Sequence, residues 1–571
     1  LYCLQTMRIV NASGTKSIIL RPHQIDHFNR VENIILQNHC YFDLSVMGSG
    51  KSYIAIALAM KYNLPIGVCC PKTAEPVWRH VCTQYDVDLK FIIGYQSLRS
   101  TTGKQPKHGF LHRIDSDSGT YFSASEEFMK IARQGLLLVL DEFQNIKNNS
   151  DQYKACKALT TACLSIKGNC RFALLSGAPF DKEEHVINAM KLIGYIQHPI
   201  LYRYFKETAD LKLYGAQELI DVCKNFDAEA TQKVLLTYPI DHRNVQGLCY
   251  RLYVEVLKSR ITSAMPPPKI EAEKDIKNGY YNMDVKDAED LVHAIVELSR
   301  AARFNPVTLA YDSRNASWGA ITTALMHIEA CKLKTLIRLA KRDLDHDPNC
   351  KVILFVNYVI SIKTLQQALV EYDPLIMYGV TSDRERTNIV KEFQTNMKNR
   401  LLIANTRVGG VSISLDDKVG DHPRYTYIIP TYSILDLHQA TGRTHRDGTR
   451  SKATIRFVYG KVGSRETSIL NALARKNKVL RETLDTQVEN GIRFPGEYDD
   501  EIEADPINTP LDDLKKLESF VENNLVENTG HNNLEVTTIQ DNLNPIIENT
   551  VHNESNFNGG NQTTKHQIKV Q

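Results

Sequence analysis

A chain of 571 residues exceeds one compact core; at about 150 residues per domain it holds three or four units. Hydrophobic residues make up 42%, charged 24% and aromatic 8%, the proportions of a folded globular protein. The longest apolar runs, Tyr53–Met60 and Leu136–Leu140, are far shorter than the ~18–20 residues of a membrane span, so membrane insertion is not expected.

The net charge of +3 hides a division. From Glu497 to the end there are fifteen acidic and four basic residues, about −11, which leaves about +14 on the rest. A basic body with an acidic tail suits a polyanionic partner, because Lys and Arg neutralise phosphates. The twelve cysteines show no C-x-x-C pair and no zinc-like spacing, and Cys69-Cys70 sit in an apolar run that reads as buried. A reducing compartment is expected, and residues 1–7 lack the basic-then-apolar order of a secretory signal. The expected location is intracellular, nucleus or cytoplasm.

In chain order, residues 18–203 alternate short apolar runs with helical patterns, as parallel α/β sheets do. Strands are predicted at Ile66–Cys70, Phe91–Gly94, Leu136–Leu140 and Phe172–Leu175, with a helix at Tyr53–Lys61. Residues 204–346 read as mostly helical, interrupted by Met265-Pro-Pro-Pro268. A second alternation has strands at Val352–Val356, Leu401–Ala404 and Tyr425–Ile429, and helices at Ser361–Tyr372 and Arg384–Asn396. Beyond residue 495 the chain turns polar, with a dozen asparagines over 521–571 and no apolar period, so a disordered tail is expected. The predicted fold class is α/β, in four regions: 1–203, 204–346, 347–494 and 495–571.

The strongest local signal is Met47-Gly-Ser-Gly-Lys-Ser52 before a helix. Gly48, Ser49 and Gly50 let the backbone wrap phosphates, with amides at the helix N-terminus aimed at them. Lys51 then reaches the β- and γ-phosphates, and the Ser52 hydroxyl ligates Mg2+. About ninety residues on, Leu136–Leu140 ends in Asp141-Glu142-Phe143-Gln144. Carboxylates at the carboxyl end of a buried parallel strand lie where ligands bind; Asp141 is placed to hold Mg2+ and Glu142 to orient or deprotonate the attacking water. Ser176-Gly-Ala-Pro179 follows the next predicted strand, and Thr406-Arg407 opens a run to Leu415 after another. Gln439-Ala-Thr-Gly-Arg443-Thr-His-Arg446-Asp-Gly448 is a Q-x-x-G-R-x-x-R-x-G element. Its two arginines are expected on one helical face, able to bond a γ-phosphate, a task for which guanidinium is apt.

With these motifs in this order, the chain resembles the superfamily-two helicase-like ATPases, and more narrowly the Swi/Snf-type translocases. The narrower resemblance rests on Leu20-Arg-Pro-His-Gln24, with Gln24 in the adenine-reading place; on the continuation Ile146-Lys147-Asn148; on Pro266-Pro-Pro-Lys269; on Gly379 through Phe393 with Arg386; and on Gly463-Ser-Arg-Glu-Thr467. It covers about residues 18–480. It implies two RecA-like lobes in tandem with a mostly helical middle insertion, ATP and Mg2+ as cofactors, and catalysis by Glu142, Gln439, Arg443 and Arg446. It also implies nucleic-acid contacts through Lys72, Thr73, Arg99, Asn357, Thr406 and Arg407. Gln144 replaces the usual histidine, Ser45 stands near the usual aspartate, and Ser412 and Ser414 replace the usual glycine and asparagine; these departures bear on the coupling of hydrolysis to movement. Compact forms of this kind occur among large cytoplasmic DNA viruses, in replication or transcription. The expected activity is ATP-driven movement along duplex DNA in replication, repair or transcription. The alternatives are an ATP-gated assembly factor that binds nucleic acid and an RNA helicase. Protein partners are not specified by the sequence.

Overall fold

The computed structural model describes residues 6–503 apart from 12, 47, 118, 167–169, 267–269, 302–303, 306–309, 312–316, 410–412, 463–475, 477 and 485–494. Met47, Pro267-Pro-Lys269, the Gly410–Ser412 run, Gly463–Thr467 and most of the acidic tail therefore lie outside the described residues. The chain forms two compact units, one from residues 6–270 and 476–484, the other from 271–462 and 495–503.

The first unit is built on six strands: β1 (Cys40–Asp43), β2 (Ile66–Cys70), β3 (Leu89–Gly94), β4 (Leu136–Asp141), β5 (Cys170–Leu175) and β6 (Thr262–Ser263). They lie in the order β6-β1-β5-β4-β2-β3 and every pairing is parallel. Residues alternate between two apolar layers: Leu136, Leu138 and Leu140 join Phe42 and Phe172 on one face, while Leu137 and Val139 join Tyr41 and Ala173 on the other. Both faces are covered, so β4 reads as a continuous apolar run without a two-residue period. Three helices carry residues that meet at the strand ends: α1 (Pro22–Gln37), α2 (Lys51–Tyr62) and α3 (Glu75–Tyr85). Gly67 on β2 faces Phe91, whose ring a Cβ there would meet at 2.4 Å, so only glycine lets the two strands keep this side-chain arrangement.

The second unit carries β7 (Lys274–Tyr281), β8 (Lys351–Val356), β9 (Leu375–Met377), β10 (Leu401–Asn405), β11 (Arg424–Ile428), β12 (Ala453–Gly460) and β13 (Asp500–Ile502). Their order is β9-β10-β8-β11-β12-β7-β13, again parallel throughout. The chain thus has the expected α/β class, with two parallel-sheet units in tandem along the sequence. Residues 204–346 supply the expected helices, such as Gly215–Phe226 and Leu333–His346, and in addition β7, which pairs along its whole length with β12. The helix predicted over Ser361–Tyr372 runs instead from Val359 to Ala368, and Val370–Tyr372 forms a separate tight turn.

Candidate active site

Beyond β1 the chain passes Leu44-Ser45-Val46 and reaches Gly48 and Gly50, with φ of 80° and 99°, left-handed values that glycine adopts without strain. Gly50 caps α2 and contributes no side chain to its first N–H groups, which leaves that helix end suited to an anion. Lys51 opens the helix and folds back, its Nζ donating to the carbonyls of Ser45 at 2.9 Å and Val46 at 3.2 Å. Ser52 follows, half-buried. Gln24 on α1 reaches the same loop: its Nε2 donates to the Ser49 carbonyl at 3.2 Å, and a Cβ on Gly50 would meet that nitrogen at 2.4 Å. The expected adenine-reading glutamine and the expected phosphate loop are therefore in contact.

At the end of β4, Asp141 is held from two sides. The Trp78 indole N–H donates to its carboxylate at 2.8 Å, and the Tyr95 hydroxyl donates to its backbone carbonyl at 2.8 Å. Burial and the adjacent Glu142 push the Asp141 carboxyl up to about 6, against the pull of Trp78 and Lys51. Glu142 has a φ of 51°, unusual for a residue with a Cβ, and the tight turn Phe143–Ile146 follows it. The Gln144 amide makes two bonds: its Nε2 donates to Glu142, and its Oε1 accepts from the Ser176 hydroxyl at 2.6 Å. Ser176 lies just past β5, between the strand that carries Asp141 and the strand that leads into the glycine loop. Lys147 pairs with the buried Asp181 at 2.6 Å, tying the two segments a second time.

Of the remaining first-unit candidates, Lys72 and Thr73 lie on the tight turn Lys72–Ala74 after β2, and Arg99 ends the short helix Tyr95–Arg99 after β3. All three follow carboxyl ends of strands in the sheet that carries Asp141.

In the second unit, Gln439 is half-buried on helix α4 (Ile434–Thr441). The expectation of Arg443 and Arg446 on one helical face is not met. The helix stops at Thr441, where the N–H of Gly442 meets the carbonyls of His438, Gln439 and Ala440, and both arginines lie in the turn beyond. Their surroundings differ. Arg443 is 1% exposed and its Nη1 donates to the Ile413 carbonyl at 3.2 Å. Arg446 is half-buried, its Nε donates to the Gly442 carbonyl at 2.8 Å, and its N–H donates to the Thr449 hydroxyl at 2.8 Å. Thr449 in turn lies 2.9 Å from the buried Asp416 carboxylate.

Asn357 and Thr406 point inward. The Asn357 amide donates to the buried Glu329 at 2.8 Å and the Ile429 carbonyl at 3.3 Å, and the Thr406 hydroxyl donates to the Val356 carbonyl at 3.3 Å. Arg407 is exposed at the same strand end.

A third feature escaped sequence reasoning. Asp43, the last residue of β1, is wholly buried against His27 of α1, with Nε2 and Oδ2 3.0 Å apart. Its other oxygen accepts the Ser45 N–H at 3.0 Å and the Ser45 hydroxyl. The only trace in the sequence is the Asp-x-Ser spacing of an Asx-type turn.

Residues 331–448, in the second unit, match the helicase conserved C-terminal domain, and with the glycine loop and acidic strand end of the first unit this match supports an ATP-hydrolysing enzyme similar to the superfamily-two helicase-like ATPases. Among known proteins it is similar to one of Acanthamoeba polyphaga mimivirus named "Putative ATP-dependent RNA helicase", at 25% identity over 471 residues, 81% of this chain and 83% of that protein. Two solved structures are similar at lower identity. The Sulfolobus solfataricus SWI2/SNF2 ATPase core in complex with dsDNA matches at 16% identity, covering 85% of this chain and 98% of that one, with a TM-score of 0.29. S. cerevisiae Dbp5 bound to RNA and ADP BeF3 matches at 13% identity, covering 87% and 93%, with a TM-score of 0.39.

Proposed function

We propose that this ATPase converts hydrolysis into movement along duplex DNA. In this reading Gln24 recognises adenine, Gly48–Lys51 cradle the phosphates, Glu142 orients the attacking water, and Arg443 and Arg446 offset charge on the γ-phosphate. Gln439 belongs with the two arginines. Mg2+ fits the donor set: the Ser52 hydroxyl and Asp141 carboxylate are hard oxygen ligands, and Mg2+ takes one or two carboxylates, phosphate oxygens and waters rather than an all-protein cage. Lys72, Thr73, Arg99 and Arg407 are assigned to the phosphate backbone, a contact type that positions a strand without reading it. Asn357 and Thr406 would act there through the strand ends they hold, since their side chains bond inside the second unit.

The observation that carries this reading is the Glu142–Gln144–Ser176 connection. One side chain, Gln144, bonds both the carboxylate and the loop after the next strand, so a change at Glu142 has a direct route to Ser176, as coupling of hydrolysis to movement requires. The Swi/Snf-like peripheral elements support duplex DNA as the track. The name of the mimivirus relative favours a second reading, an RNA helicase.

The test is ATPase rate against duplex DNA, single-stranded DNA and duplex RNA at one salt concentration, since backbone affinity depends steeply on ionic strength. Stimulation by duplex DNA, with displacement of a bound triplex strand, is the expected result. Stimulation by duplex RNA alone would install the second reading. Stimulation without any displacement would favour an ATP-gated assembly factor.

A further inference from the structure

The hydrogen bonds around Asp43 close into a ring. Ser263 on β6 lies 2.9 Å from His27 Nδ1, and His27 Nε2 lies 3.0 Å from Asp43. Asp43 accepts the Ser45 hydroxyl, and Ser45 Oγ accepts the Met265 N–H at 2.8 Å. Met265 stands two residues after Ser263, which closes the circuit. The proton directions are fixed by chemistry. Asp43 can only accept while ionised, and although burial opposes ionisation, the His27 ring and Lys51 hold its carboxyl below the usual range. His27 Nε2–H therefore donates to Asp43, and the Ser45 hydroxyl, whose proton goes to Asp43, is left to accept from Met265. A further bond, Leu44 N–H to the Ser263 carbonyl at 2.9 Å, runs alongside.

This ring joins two places with different tasks. One is the root of the glycine loop: the Ser45 carbonyl receives the Lys51 ammonium, the group assigned to the phosphates. The other is the segment Thr262–Met265, the last stretch of the first unit before the chain continues into the second. β6 has only two residues and pairs with β1 alone, so backbone ladders hold this segment weakly; the side-chain ring adds a polar attachment to the packing of Ala264 and Met265 in the two apolar layers. His27, Asp43, Ser45 and Ser263 are all buried, and a buried polar circuit with each group satisfied has one low-energy arrangement, not a continuum.

We propose that the Ser263–His27–Asp43–Ser45–Met265 ring couples the nucleotide state of the phosphate loop to the chain leaving the first unit. His27, Asp43, Ser45 and Ser263 are positioning residues in this scheme; none touches the nucleotide. When Lys51 moves from the Ser45 carbonyl to a phosphate, Ser45 loses its restraint on one side, and the strength of its hydroxyl bonds to Asp43 and Met265 changes. The exit segment tightens as a result.

Hydrogen exchange on the full chain, with and without saturating Mg2+ and ADP, tests this. In the wild type, exchange over residues 262–265 should slow by about threefold or more on adding Mg2+ and ADP. Ser45→Ala and Ser263→Ala should each still bind ADP by equilibrium dialysis, yet show less than about half of that response. Ser263→Ala should also keep its ATP turnover, and Ser263→Thr, which restores the hydroxyl, should restore the response. If Ser45→Ala fails to fold, Ser263→Ala decides. A wild type that binds ADP with unchanged exchange over 262–265 would overturn the coupling, as would a full response in Ser263→Ala. Failure of the wild type to bind ADP at all would remove the site assignment itself, a distinct result from the first two.

Discussion

Trp78 donates its indole N–H to the Asp141 carboxylate across 2.8 Å, from a helix that begins five residues after β2 ends. A tryptophan only 1% exposed would be read as packing, and it does sit in the apolar layer with Val81 and Ala74. Its single polar atom is nevertheless aimed at the carboxylate assigned to the metal. Tyr95, arriving from β3, fixes the backbone of the same residue. The strand end that carries Asp141 is thus held by side chains that follow both strands beyond it in the sheet.

Trp78→Phe keeps the ring and removes the donor. Partners that orient a metal ligand are worth about 10–100-fold in metal affinity or activity. The Mg2+ concentration for half-maximal ATPase activity should therefore rise by about that factor, with a smaller change in the rate at saturating Mg2+. A Mg2+ titration of wild type and variant reads this directly; superimposable curves would reduce Trp78 to packing.

Glu142→Gln should retain nucleotide binding and lose about 10²–10⁴-fold in turnover, the range of a positioned general base. Gln144→Ala and Ser176→Ala provide a sharper check on the relay. Because the two side chains bond directly at 2.6 Å, their effects on nucleic-acid-stimulated turnover should not add. A coupling of about 0.5–3 kcal/mol is expected from the double-mutant cycle, and independent effects would break the link between the two loops.

Much of this architecture is legible in the amino-acid sequence. β4 announces itself as Leu-Leu-Leu-Val-Leu because it is covered on both faces, and the glycine loop is legible because only glycine takes the φ values found there. β7 is not legible: Lys-Asp-Ile-Lys-Asn-Gly-Tyr-Tyr lies next to a short edge strand, only three of its eight residues are buried, and no apolar run results. The end of α4 could have been read from Gly442, a residue that favours helix termination, but the spacing of the two arginines suggested a continuing helix. The Asp43 ring joins residues more than two hundred positions apart, and no local pattern encodes such a closure.

Asp43 makes a prediction about acid stability. Although burial works against its charge, the His27 ring and Ser45 hold its carboxyl below the ordinary range. The folded form therefore binds fewer protons than the unfolded chain between the folded value and the usual carboxylate value near 3.9. Its contribution is fully present above that usual value and is lost as pH falls through the folded one. Asp43→Asn should cost roughly 1.5–3 kcal/mol near neutral pH, the worth of a hydrogen bond to a charged group, and should flatten the acid limb of the melting profile. Thermal melts of both proteins from pH 7 to pH 3 check it. Parallel profiles would mean that the carboxylate is not the charged acceptor of this ring.

The two arginines beyond α4 should respond differently to removal, because the turn gives them different surroundings. Arg443 is closed into the second unit, and its Nη1 satisfies the Ile413 carbonyl; Arg443→Ala leaves that oxygen buried without this donor and should lower thermal stability by about 1–3 kcal/mol. Arg446 is less enclosed and is held by its own backbone neighbours, through the Gly442 carbonyl and the Thr449 hydroxyl. If Arg446 stabilises the transferring phosphoryl group, Arg446→Ala should slow turnover by about 10³-fold or more while the melting temperature and ADP affinity barely move. Thr449→Val provides the graded control. It removes the hydroxyl that accepts the Arg446 N–H and lies beside Asp416, so the arginine stays but loses its fixed geometry. Turnover should then fall by an intermediate factor, with kcat affected more than KM. Equal turnover in Arg446→Ala and wild type would remove Arg446 from the site, and a Thr449→Val variant slower than Arg446→Ala would show that the threonine acts through the fold of the turn instead of through the arginine.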